Sequence, residues 1–153
     1  MKIVQRQVGK LLKWGTLLST LGFVASTLIQ IYARFFMAKA PSWTEEAARL
    51  FFIFAIGCAS GLAMRGSYYV HFDFLYEKLP SKLKLLIMKA IYILIVVLFV
   101  IFTYHSFQFV MDGWIEKSPS LRFPMAVAFI GVTIMGLAIS YYALAKLISL
   151  FKK

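Results

Sequence analysis

Residues 85–111 read LLIMKAIYILIVVLFVIFTYHSFQFVM, a run in which Lys89 is the one full charge. A helix of this length is about 40 Å long at 1.5 Å per residue, more than the roughly 30 Å of a bilayer's hydrocarbon core. Tilt or protrusion is therefore expected. Its middle, residues 91–102, contains no small residue and suits lipid or a bulky partner. Three further apolar runs, 14–37, 47–64 and 123–145, flank it in the chain. Each reaches the roughly 18–20 residues that a crossing needs. Hydrocarbon offers nothing to an unpaired backbone N–H or C=O, so runs of this length must satisfy their own hydrogen bonds as helices. With helical ends included, the spans are read as 14–37, 43–64, 83–111 and 123–147. A composition that is 61% hydrophobic and 17% aromatic fits a chain with little water-facing surface. The sequence is thus read as an all-α integral membrane protein, residues 1–153 forming one four-helix domain.

The net charge of +11 raises nucleic acid as a partner, but its distribution argues against it. Lys2, Arg6, Lys10 and Lys13 precede the first span. Arg65, Lys78, Lys82, Lys84 and Lys89 surround the middle connection, and Lys146, Lys152 and Lys153 end the chain. Arg34, Lys39, Arg49, Lys117 and Arg122 fall in the other two connections, beside Glu45, Glu46, Asp112 and Glu116. By the positive-inside rule both termini and the middle connection are cytoplasmic, and the first and third connections lie outside. The basic face also attracts anionic membrane lipid. Cys58 is the only cysteine, so an intramolecular disulfide is excluded. Lys10 and Lys13 before an apolar stretch, with Ala38-Lys39-Ala40 after it, resemble a signal peptide. The stretch exceeds the 7–15 residues or so of a signal core, and it is read as a retained span.

Helix boundaries are marked locally. Pro41 stops the first helix, and Ser42-Trp43-Thr44-Glu45 has the hydroxyl and carboxylate spacing of a reciprocal capping box. Glu45 and Glu46 occupy a first turn, where the helix dipole favours negative charge, and Glu45 lies one turn before Arg49. Between residues 65 and 84, aromatic and aliphatic residues alternate with His71, Asp73, Glu77 and Lys78, the pattern of an amphipathic segment in the cytoplasmic interface, placed at 66–80. Ser118-Pro119-Ser120 breaks the chain before the fourth span, and Pro124 is expected in that span's first turn. Gly57 and Gly61 form a G-x-x-x-G stripe for close helix packing. Gly15/Ser19, Gly22/Ser26 and Gly131/Gly136/Ser140 offer further small strips. These stripes suit the chain's own helices or a partner equally well.

Chemistry is sparse. One cysteine cannot form a redox pair, and His71 and His105 fall at opposite ends of their spans, unlike a haem's axial ligands. No phosphate-binding glycine loop, zinc motif or catalytic cluster occurs, so no enzyme activity, cofactor or metal is expected. Glu45 and Glu46 point about 100° apart and do not form an acid–base pair. The span middles carry no charge, whereas ion-coupled transporters place ionisable groups there. Arg34, about one turn from the outer end, either snorkels to the surface or pairs with Glu45, Glu46, a partner carboxylate or a lipid phosphate.

These residues form a constellation. Arg34-Phe35, then Trp43-Thr44-Glu45-Glu46-Ala47-Ala48-Arg49, His71-Phe72-Asp73-Phe74-Leu75, Leu79-Pro80, and Ser118-Pro119-Ser120-Leu121-Arg122-Phe123-Pro124 follow in order. The series resembles the small (Q-type) membrane subunit of tripartite ATP-independent periplasmic (TRAP) transporters. That pattern reads approximately Arg-Tyr, Trp-x-Glu-Glu-x-x-Arg, His-Ile-x-Val-Asp, Leu-Pro and Ser/Thr-x-x-Leu-x-x-Pro. Phe35, Phe72 and Phe74 depart from it. The resemblance implies a sodium-coupled importer of an organic acid, such as sialic acid or a C4-dicarboxylate, in the bacterial inner membrane. Its partners would be a large multi-span permease subunit and a periplasmic substrate-binding protein. In this reading Arg34, Trp43, Glu45, Glu46 and Arg49 organise the outer partner or lipid interface, and His71 and Asp73 pin the cytoplasmic segment. The competing readings are a stand-alone four-helix exporter, which would need an embedded carboxylate, and a membrane assembly factor.

Overall fold

A computed structural model describes residues 2–37, 41–66 and 80–151. They form four helices: α1 (Lys2–Phe36), α2 (Trp43–Gly66), α3 (Ser81–Asp112) and α4 (Ala126–Phe151). All four are long and apolar enough to cross a membrane. His71, Asp73 and most of the expected interfacial segment lie outside the described residues.

The helices pack in the lateral order α1–α2–α4–α3. Gly22 lies against Phe51, Gly15 against Cys58 and Gly9 against Arg65, so α1 and α2 run antiparallel. Gly57 meets Gly131 and Gly61 meets Ala138, so α2 and α4 run parallel. Phe109 meets Phe129, Ser106 meets Thr133 and Thr103 meets Gly136, so α3 and α4 are antiparallel. One end of the layer therefore gathers Glu45, Glu46, Asp112 and Glu116; it is called here the acidic end, and the other the basic end.

The stripes of small residues decide this order. A Cβ on Gly57 would run into the carbonyl oxygen of Gly131, and one on Gly61 would sit 2.6 Å from the Ala138 Cβ. The α2 and α4 backbones therefore nearly touch, which maximises dispersion contact where apolar burial gains little over lipid. Gly15, Gly22 and Gly136 admit the side chains of Cys58, Phe51 and Thr103 from neighbouring helices. The small stripes thus serve the chain's own packing. Toward the basic end Leu12, Cys58, Met64, Ala138, Ile139, Tyr142 and Ala143 close the core.

Two boundaries differ from the sequence reading. α1 is helical from Lys2, not only from residue 14. Val8 and Leu12, one turn apart, pack on the core while Lys10 and Lys13 stay exposed, so the helix continues through the charged segment. α4 begins at Ala126, because Pro124 is used in the preceding loop, where it pairs antiparallel with Lys117. Ser118 N–H donates to Phe123 O (2.9 Å), and Met125 N–H donates to Glu116 O (2.9 Å). Arg122 closes the turn in the left-handed region (φ 54°), its N–H reaching Ser118 O at 3.1 Å.

Candidate functional site

Four of the residues singled out from sequence, Trp43, Glu45, Glu46 and Arg49, lie on the first two turns of α2 at the acidic end. The turn itself is held by Thr44, which is fully buried and donates from Oγ1 to Pro41 O at 2.8 Å; its N–H reaches the same oxygen at 3.3 Å. The expected box between Ser42 and Glu45 is not formed. Ser42 is exposed, no hydrogen bond joins it to Glu45 among the described residues, and the Glu45 carboxylate lies 3.5 Å from the Arg49 guanidinium instead. Opposite charge one turn away competes successfully with a backbone N–H for that carboxylate. The side chains of Arg49 and Glu45 are 72% and 68% exposed, so solvent screens the pair and it adds little to chain stability.

Glu46 has a different role. Its Oε2 accepts the backbone N–H groups of Ser120 (3.1 Å) and Leu121 (2.8 Å), from the loop between α3 and α4. A carboxylate accepting two consecutive amides makes charge-assisted bonds in a small anion-binding concavity. The Ser118 hydroxyl, 2% exposed, lies beside the same carboxylate, without the geometry of a full hydrogen bond. Glu46 thereby ties the start of α2 to the loop that opens α4. Adjacent in sequence, Glu45 faces Arg49 and solvent while Glu46 faces the loop, as helical geometry requires.

Between these elements lies an open cleft of about 320 Å³, its polar rim formed by Glu45, Glu46 and Arg49 and its floor by Leu50, Ile53 and Phe123. It is small and open for a metabolite site, and its shape suits a protruding side chain of another protein. Trp43 is exposed at the same end. Arg34 is exposed near the end of α1 and pairs with no described carboxylate, so the structure does not join it to Glu45 or Glu46. Gly57 and Gly61 lie deeper, at the α2–α4 contact. Among the described residues no three His, Cys, Asp or Glu side chains are placed to hold a metal ion.

Two polar features escape sequence reading. The loop amides of Ser120 and Leu121 become a site only by meeting Glu46, 74 and 75 residues away. The Ser106 and Thr133 hydroxyls meet at 2.6 Å between α3 and α4, and Thr133 also donates to Phe129 O at 3.1 Å. Their signal in the chain is only that of two isolated hydroxyl residues in apolar runs.

Comparison with known proteins bears on the whole chain. Residues 23–153 match the family model described as tripartite ATP-independent periplasmic transporters, DctQ component. The matched region contains α2, α3, α4, the Glu46–loop tie and the cleft. No curated protein matches the chain.

Proposed function

We infer, because this chain belongs to the DctQ component family of tripartite ATP-independent periplasmic transporters, that it is the static scaffold of a sodium-coupled importer of an organic acid. The match over residues 23–153 carries this reading. The family is a transporter component and not an enzyme family, and its members work beside a large permease and a binding protein. Span middles without charge support a chain that frames transport while another subunit moves substrate and ions.

In this reading the acidic end faces the periplasm and the basic end the cytoplasm of a bacterial inner membrane, as the distribution of Lys and Arg favours. The cleft edged by Glu45 and Arg49 receives a side chain from the substrate-binding protein, with Trp43 as an apolar contact beside it. Glu46 keeps the two walls of the cleft in register by holding the Ser120–Leu121 amides. Sialic acid and C4-dicarboxylates are the substrate classes of this reading, recognised by the other subunits.

Reconstitution tests it. Uptake of the organic acid into proteoliposomes should require this chain, the large permease, the binding protein and an inward sodium gradient together. Uptake by this chain alone, or full uptake without it, would refute the scaffold role.

A further inference from the structure

The outward face of α3 is the surface that the chain's own packing leaves without a purpose. α3 meets α4 through Phe102, Thr103, Ser106 and Phe109. On another face Ile91, Leu94, Leu98 and Ile101 follow one another at alternating three- and four-residue steps and are 50%, 66%, 54% and 54% exposed. The same steps continue through His105, Gln108 and Asp112, all exposed. A three–four alternation is the seam along which a second helix packs.

Apolar residues on such a seam fit lipid as well as protein; the polar continuation separates the two. His105 Nδ1 lies 3.0 Å from Gln108 Oε1, so the imidazole donates to the amide oxygen. The other ring nitrogen and the Gln108 N–H groups have no partner among the described residues. The edge of the Tyr104 ring meets His105 with centroids 5.3 Å apart and fixes its orientation. At the far end Lys89 is anchored with its ammonium 4.4 Å from the Phe151 ring centroid. From Lys89 to Asp112 the axis runs about 35 Å, little more than the roughly 30 Å hydrocarbon core. Gln108 and His105 lie about 6 and 10 Å inward from Asp112 along that axis. This depth is at or within the hydrocarbon edge, where an unmatched donor or acceptor costs free energy and a neighbouring helix is the natural source of a partner.

We propose that the α3 seam from Ile91 to Gln108 is the surface against which a transmembrane helix of the large permease subunit packs. That helix presents a hydroxyl or amide side chain opposite His105 and Gln108. The inference rests on the assembly with a large permease proposed above and names the surface that makes it.

Photo-crosslinking in membranes containing both subunits tests this directly. Leu98→p-benzoylphenylalanine and Ile101→p-benzoylphenylalanine should give adducts with the large subunit at least tenfold above Leu21→p-benzoylphenylalanine, on the exposed face of α1. Adducts from Leu21 alone, adducts only with lipid, or adducts only with a second copy of this chain would overturn the α3 assignment while leaving the proposed function standing. Failure of the unmodified chain to co-purify with the large permease would instead refute the assembly, and this inference with it. The paired change His105→Leu and Gln108→Leu should reduce recovery of the large subunit by about threefold to twentyfold, the range of interhelical hydrogen bonds in membranes, with insertion unchanged. Undiminished recovery would remove the polar pair from the interface.

Discussion

Replacing Gly57 with alanine should destabilise the chain, although alanine is the better helix former. The added Cβ would meet the Gly131 carbonyl oxygen, a backbone atom that cannot rotate away. Relief requires α2 and α4 to separate, which also opens the neighbouring Gly61–Ala138 contact. Overpacking of this kind costs about 1–3 kcal/mol, while replacing glycine in a helix returns roughly 0.5–1 kcal/mol. A net loss of about 1–2 kcal/mol is expected, or about five- to thirtyfold in the folding equilibrium. Gly22→Ala is the matched control. Its Cβ would approach the Phe51 ring at 2.8 Å, but that ring is 37% exposed and can swing aside, so Gly22→Ala should be neutral or slightly stabilising. The assay is unfolding by sodium dodecyl sulfate in mild detergent micelles, followed by the fluorescence of the three tryptophans. Equal stability of Gly57→Ala and the parent chain, or equal losses from both glycine changes, would refute the reasoning that backbone contact sets the α2–α4 spacing.

Three other outcomes follow from the same geometry. A double-mutant cycle of Ser106→Ala and Thr133→Val should show a coupling of about 0.6–1.7 kcal/mol, because each change alone breaks the one interhelical bond; additivity would show that the 2.6 Å contact contributes nothing net. Glu46→Ala should speed hydrogen exchange at the Ser120 and Leu121 amides by more than Glu46→Gln, which keeps an acceptor oxygen, and exchange rates equal to the parent's would deny the tie. Glu45→Ala and Arg49→Ala should leave the chain's thermal unfolding almost unchanged, since their pair is solvent-screened, yet lower uptake in the reconstituted system. Unchanged uptake with an intact complex would remove them from the docking surface.

How much of this was readable differs from one residue to the next. The break at Ser118-Pro119-Ser120 was visible because proline and short polar residues act locally, whereas the late start of α4 was not, because Pro124 is drawn into pairing with Lys117 by the closure of the whole loop. The capping box between Ser42 and Glu45 looked complete by spacing. It lost to Arg49, because spacing records which groups can meet and not which of several partners gains most. Glu45 and Glu46 were an undivided acidic pair in the sequence; in the fold one is a solvent-facing ion pair and the other an interhelical tie.

The sequence by itself determined that this chain has four apolar helices, where they break, and the family to which its borders point. Those properties follow from run length, local turn chemistry and the demand that hydrocarbon makes on every backbone polar group, all of which are read along one dimension. Only the tertiary structure decided that the helices stand in the order α1–α2–α4–α3, that the G-x-x-x-G stripe meets Gly131 and Ala138 of α4, that Glu46 holds Ser120 and Leu121, and that His105 and Gln108 face outward. These depend on the rotational phase of each helix about its axis and on contacts between residues far apart in the chain. Small residues and hydroxyls advertise a close approach, but the neighbour that fills it is chosen by the packing of the whole layer.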